Sequence, residues 1–169
     1  RYRYIDDWET PDTQVINLDF IDNKTISWEG RSCNGMGIEG SSVGVIFYGE
    51  NGSLLIPGGN EYTIFDLEGK IVKKVESNMV IDSRNRTNPS QILDGLHVQN
   101  MVSAIKNGSW LNADIDGGHK STLLVQLGNI SQRVGNSLDI DPTNGHIIND
   151  AEAIKLWSRT YEKGWEMKL

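Results

Sequence analysis

The chain has a single cysteine, Cys33, so no internal disulfide can form and the redox compartment is left open. No apolar run approaches the roughly 20 residues that a membrane-spanning helix needs. Basic blocks are also missing: 16 Lys and Arg stand against 23 Asp and Glu, and the net charge of −7 argues against a nucleic-acid backbone or an anionic membrane as partner. Neither an internal repeat nor a low-complexity tract interrupts the sequence. There is no initiator Met before Arg1 and no signal sequence, so the chain is expected to be a processed or excised piece whose targeting segment is not readable. What remains is a globular composition, 37% hydrophobic and 23% charged, over 169 residues. That is one domain, residues 1–169, long enough to bury a core, and 18 Gly promise many turns.

The front half reads as strands. From Thr13 to Phe20, Ile16, Leu18 and Phe20 alternate with Val15, Asn17 and Asp19, and Thr25 to Arg31 puts Ile26 and Trp28 together. Such period-two alternation marks a half-buried sheet. Asp22-Asn23-Lys24 supplies the turn that pairs them. Val43–Tyr48 and Ser53–Ile56 flank Glu50-Asn51-Gly52, where Asn-Gly offers the positive φ angles of a tight hairpin. Glu61–Phe65 and Lys70–Val75 flank Asp66-Leu67-Glu68-Gly69 as a third hairpin. Successive hairpins imply an antiparallel meander.

Residues Ser77–Ser90 are polar and read as a linker. Helices fill the rest. The first is expected over Gln91–Lys106, with Leu93, Leu96, Met101, Val102 and Ile105 near one stripe and Asn107-Gly108 as its stop. The second is expected over Gly118–Val134, with Leu123, Leu124, Leu127, Ile130 and Val134 at helical spacing. The third begins after Asn149 or Asp150 and should bury Ile154 and Trp157. The fold class is therefore α+β: an open, mainly antiparallel sheet of about six strands in meander, with about three C-terminal helices packed on one face.

Several motifs bear on chemistry. Gly35-Met36-Gly37-Ile38-Glu39-Gly40 spells G-x-G-x-x-G, the dinucleotide pattern. That pattern works only when its last glycines open a helix whose amides hold the pyrophosphate. Here it runs into Ser41–Val45, a strand, so it reads as a glycine-rich loop and no cofactor-binding residue is assigned. His119 follows Asp116-Gly117-Gly118 and precedes Lys120, Ser121 and Thr122, a grouping of helix-start amides, imidazole and hydroxyls that suits a hydroxyl-rich or anionic ligand. The alternative is that Asp116 caps the helix and His119 packs beside it. Trp28 and Arg31, with Asn34, offer a flat apolar face and a fork of donors for a sugar, or else a structural Arg stacked on Trp. His97 lies mid-helix, where a core or interface role competes with substrate contact, and His146 is expected to be solvated in a turn. Asn129 and Arg133 lie one helical turn apart and are expected to tie helix to sheet. Three scattered histidines without a Cys or carboxylate pattern give no metal site. N-x-S/T matches at Asn23, Asn51, Asn85, Asn107 and Asn129 reflect Asn-rich turns.

Taken in order, the C-terminal patterns resemble a known family. They are Asn112-Ala113-Asp114-Ile115, Gly118-His119-Lys120-Ser121, Leu127-Gly128-Asn129-Ile130, Arg133-Val134-Gly135, Asp139, Asp141-Pro142, Gly145, Asp150-Ala151-Glu152-Ala153, Ser158-Arg159-Thr160-Tyr161 and Gly164-Trp165. The front half adds Thr10-Pro11-Asp12-Thr13, Trp28-Glu29-Gly30, Gly44-Val45, Phe47-Tyr48-Gly49-Glu50, Gly52, Asp66 and Gly69-Lys70. The chain resembles the C-terminal domain of the glucose–fructose oxidoreductase / inositol dehydrogenase (Gfo/Idh/MocA) family, in its bacterial secreted-type branch.

The resemblance implies the substrate and oligomerisation half of a two-domain NAD- or NADP-dependent oxidoreductase acting on a sugar or polyol. It implies an N-terminal Rossmann domain absent from this chain, and a sheet face used for a homo-oligomer, most simply a dimer. The family's catalytic Lys comes from a Glu-Lys-Pro motif and its Asp and His from an Asp-x-x-x-His motif, both upstream of this domain. Neither occurs here, and Glu162-Lys163-Gly164 is not a match. No catalytic residue transfers, and the chain alone is expected to be inactive. The substrate-binding candidates are His119, Lys120, Arg31, Trp28 and His97. The competing expectation is a free-standing carbohydrate-binding or scaffold domain, which five Trp and an antiparallel sheet permit. The compartment, periplasmic, secreted or cytoplasmic, stays open.

Overall fold

A computed structural model describes residues 1–58, 60–76 and 91–166. The fold is mixed α+β, with two antiparallel sheets ahead of the first helix and a third between the second and third helices. Six strands precede the helices: β1 (Thr13–Asp19), β2 (Thr25–Arg31), β3 (Val45–Gly49), β4 (Gly52–Ile56), β5 (Tyr62–Phe65) and β6 (Ile71–Val75). Then come α1 (Gln91–Asn107), α2 (Ile115–Val134), β7 (Asp139–Ile140), β8 (Ile147–Ile148) and α3 (Ala151–Lys155). The expected linker at Ser77–Ser90 lies outside the described residues. The chain divides into two compact units, residues 1–17 with 26–94 and residues 18–25 with 95–169.

The six expected strands do not form one ladder. β1 pairs β2, and β3-β4-β5-β6 form a separate four-stranded sheet. The glycine-rich stretch between them explains the break. Glu39 (φ 51°) and Gly40 (φ 78°) make a two-residue turn, closed by Ile38 and Ser41, each N–H donating to the other's carbonyl. A side chain at Gly37 would collide with the Ser41 carbonyl, so only glycine fits that approach.

The hairpins of the four-stranded sheet each have an identifiable lock. Between β3 and β4 the positive φ falls on Gly52 alone (146°), not on Asn51 as the Asn-Gly pair suggests. Gly52 must also leave room for the Phe65 carbonyl from β5. Between β5 and β6, Asp66 Oδ1 accepts from the N–H groups of Glu68 and Lys70, while Gly69 takes φ 79°. A register shift at Ile64/Phe65 bulges the β5–β6 pair. Through the register, Val45, Phe47, Leu54, Ile56 and Ile64 share one face with Lys73. Ile46, Tyr48, Leu55 and Phe65 share the other. Apolar side chains on both faces stay accessible: Phe47 is 56% exposed and Tyr48 81%.

The first twelve residues fold back onto Asp12, whose side chain is buried. Tyr2 N–H donates to its Oδ1 at 2.9 Å, and the N–H groups of Arg3 and Tyr4 donate to Oδ2 at 3.0 and 3.1 Å. These three donors hold the carboxyl well below the usual carboxylate range, against the opposing effect of burial.

The second unit holds the buried apolar core found among the described residues: Leu127, Ile130, Ile147 and Ala153, with Leu123, Val134, Leu138, Ile140 and Trp157 against it. Helix α2 thus packs its C-terminal half on β8 and α3. The β7–β8 hairpin was not expected, because two-residue strands carry no readable alternation. Its connection is organised by Asp141, which accepts from Thr143 N–H, Thr143 Oγ1 and Asn144 Nδ2. Helix α3 is five residues long with Asp150 as its N-cap. It buries Ala153 fully but leaves Ile154 48% exposed, so the expectation that Ile154 is buried is corrected. A helix this short turns one narrow face inward, and Ala153 occupies it.

Candidate functional site

The candidate residues fall in both units, Trp28 and Arg31 in the first and His97, His119 and Lys120 in the second. Helix α2 begins at Ile115, not Gly118, because Asp114 is the N-cap and accepts from Gly117 N–H at 2.9 Å. That bond, from a backbone amide, lowers the Asp114 carboxyl from its ordinary range. His119 therefore sits more than one turn inside the helix, past the free amides, and Gly118 N–H is spent on the Asp114 carbonyl. The Ser121 hydroxyl donates back to the Gly117 carbonyl. Lys120 pairs with Asp116 at 2.6 Å across one turn, and this carboxylate partner raises its pKa. His119 itself is exposed.

Trp28 and Arg31 lie three residues apart on β2, so their side chains leave opposite faces of the strand. The Trp28 indole, 50% exposed, folds over Gly30, where any Cβ would collide with the ring. Arg31 is engaged by Glu29, Nε to Oε1 2.8 Å. The neighbouring Asn34 closes a local turn by accepting from Met36 N–H. His97 is exposed on α1 and not in a core. On that helix the apolar residues are the open ones: Leu96, Met101 and Ile105 are all at least half exposed. Asn100 is fastened instead, donating to the Trp110 carbonyl at 2.9 Å and accepting from Asn112 N–H at 3.0 Å.

A cleft that sequence reading missed lies in the second unit. It holds about 330 Å³ and is lined by His146, Ile147, Ile154, Trp157 and Ser158. The His146 imidazole and Trp157 indole stand 4.8 Å apart, tilted by 42°. Their sequence separation hid them. Among the described residues no group of three or more His, Cys, Asp or Glu is placed to hold a metal ion. Among the same residues no helix is long and apolar enough to cross a membrane.

Six antiparallel strands ahead of the first helix, and a glycine loop that opens a turn where a nucleotide-binding helix would be needed, define an α+β fold of antiparallel sheets. Residues 43–167 match the family model described as "Oxidoreductase family, C-terminal alpha/beta domain", and the chain belongs to that family, the Gfo/Idh/MocA C-terminal domains. The match takes in β3 through α3 and leaves out the Asp12 segment and the β1–β2 pair. Neither curated proteins nor solved structures gave a match.

Proposed function

We propose that this chain serves as the C-terminal half, residues 1–169, of an NAD- or NADP-dependent oxidoreductase of the secreted-type branch that acts on a sugar or polyol. It supplies walls of the substrate pocket and an assembly surface, and an N-terminal Rossmann domain supplies the dinucleotide site and the catalytic residues. The family membership carries this reading. It is supported by the glycine loop at Gly35–Gly40, which closes on itself through Ile38 and Ser41 and leaves no helix terminus there for a pyrophosphate. His119 and Lys120, accessible on α2, remain the candidates for contact with substrate hydroxyls, with Trp28, Arg31 and His97 behind them.

Fluorescence titration of NADH and NADPH against the chain tests the division of labour. No saturable binding is expected, and no turnover of sugar alcohols. Micromolar, saturable binding would overturn the reading and return the Gly35–Gly40 loop to consideration.

A further inference from the structure

The sequence holds four Asn-Gly pairs, at Asn34, Asn51, Asn107 and Asn144. In such a pair the unhindered glycine nitrogen can attack the preceding side-chain amide, provided that the nitrogen is free and the side chain can reach it. Three of the four are restrained. At Asn144, Gly145 N–H donates to the Asp141 carbonyl at 2.7 Å, and the side-chain Nδ2 is held by Asp141 Oδ2. At Asn107, Gly108 N–H donates to the Ala104 carbonyl at 3.0 Å. At Asn51, Gly52 is part of the β3–β4 ladder opposite Gly49 and is wedged against the Phe65 carbonyl.

Asn34 differs. Asn34 and Gly35 are exposed, and Gly35 N–H makes no hydrogen bond among the described residues. Met36 N–H donates to Asn34 Oδ1 at 3.0 Å, which turns the side chain back along the backbone that follows it. The same donor faces the oxygen on which negative charge would develop during attack. Asn144 makes the equivalent turn, with His146 N–H on its Oδ1 at 2.8 Å, but there the nucleophile and the leaving amide are both occupied.

We propose that Asn34 is a self-modifying site that converts through a succinimide to a mixture of aspartate and isoaspartate. Solvent base takes the Gly35 N–H proton, and the nitrogen lone pair forms a bond to Asn34 Cγ. The tetrahedral centre collapses and expels the side-chain nitrogen, which leaves as ammonia with a proton from water. Water then opens the ring at either carbonyl. No electrons are gained or lost overall. Each event adds one negative charge, and the isoaspartate product lengthens the main chain by one carbon. The change falls beside Cys33, whose carbonyl accepts from Arg3 Nη1 at 3.0 Å and whose thiol meets the Thr13 hydroxyl at 3.1 Å. The N-terminal segment is thus fastened next to the bond that changes.

The test is incubation of the folded chain in mildly alkaline buffer, with aliquots digested at glutamate and mapped by mass spectrometry, and isoaspartate labelled by an isoaspartyl methyltransferase. Cleavage after Glu29 and Glu39 isolates Asn34 from the other three pairs. Modification at Asn34 is expected at least about tenfold faster than at Asn107 or Asn144. Each of those must first open a backbone hydrogen bond, and an opening of about 1.4 kcal/mol already costs that factor. In denaturant the preference should vanish. Gly35→Ala provides the second arm: the residue has no positive φ and no atom near its would-be Cβ, so the fold tolerates the change. It should suppress modification at position 34 by hindering the nitrogen. Equal rates at all sites in the folded chain, or undiminished modification in G35A, would overturn the proposal.

Discussion

The imidazole of His146 and the indole of Trp157 face each other at 4.8 Å, joining the β7–β8 connection to the chain that leaves α3. Aromatic pairs of this kind contribute beyond the area they bury. A double-mutant cycle with His146→Ala and Trp157→Ala should show a coupling of about 0.5–1.5 kcal/mol in urea unfolding. Strict additivity would mean that the rings merely coincide.

Leu127→Ala should destabilise the second unit by about 2–5 kcal/mol, because the side chain sits in its core and the neighbours can close the void only in part. Ala153→Leu should cost roughly 1–3 kcal/mol by overpacking a fully buried site. Thermal unfolding with matched Leu96→Ala, on the open stripe of α1, sets the scale.

Asp114→Ala should lower Tm by roughly 2–4 °C through loss of the α2 cap, and Asp114→Asn, which still accepts from Gly117, should recover most of the shift. Calorimetry of the two variants checks this.

Asp12 makes the N-terminal segment sensitive to acid. Its folded-state pKa lies below the unfolded value, so its contribution is complete above the ordinary aspartate range. That contribution is lost as pH falls from the unfolded pKa down through the folded one. Amide exchange at Tyr2, Arg3 and Tyr4 should stay protected at neutral pH and quicken only in strong acid. Asp12→Asn should release the segment at every pH, seen as faster tryptic cleavage after Arg3. Unchanged cleavage in that variant would contradict the clamp.

The chain should self-associate through the four-stranded sheet, whose exposed Phe47 and Val45 sit in an apolar row. Light scattering at roughly 10–100 µM should report more than a monomer, and Phe47→Lys should weaken association by about tenfold or more. A strictly monomeric wild-type mass would refute this.

The first three hairpins and the three helices were legible because their signals are local. Alternation over Thr13–Asp19, the Asp66–Gly69 turn and the Gly108 stop, whose N–H bonds the Ala104 carbonyl, need no distant partner. The start of α2 was misread because Asp114 and Asp116 are equally good caps in sequence. Only the φ of −74° and ψ of 161° at Asp114 select it. The Trp28–Arg31 grouping dissolved for a plainer reason, since an odd spacing on a strand separates faces. The cleft at His146 and Trp157 was illegible, because it depends on two short elements meeting in space.

The four-stranded sheet is unequal at its two margins. Strand β6 ends it with a bulged register and the charged pair Lys73 and Lys74, features that discourage a further strand from adding. Strand β3 ends the other side with Val45-Ile46-Phe47-Tyr48, flat in register and uncharged. Any growth of this sheet by strand addition, in assembly or in aggregation, therefore has a direction: it proceeds outward from β3.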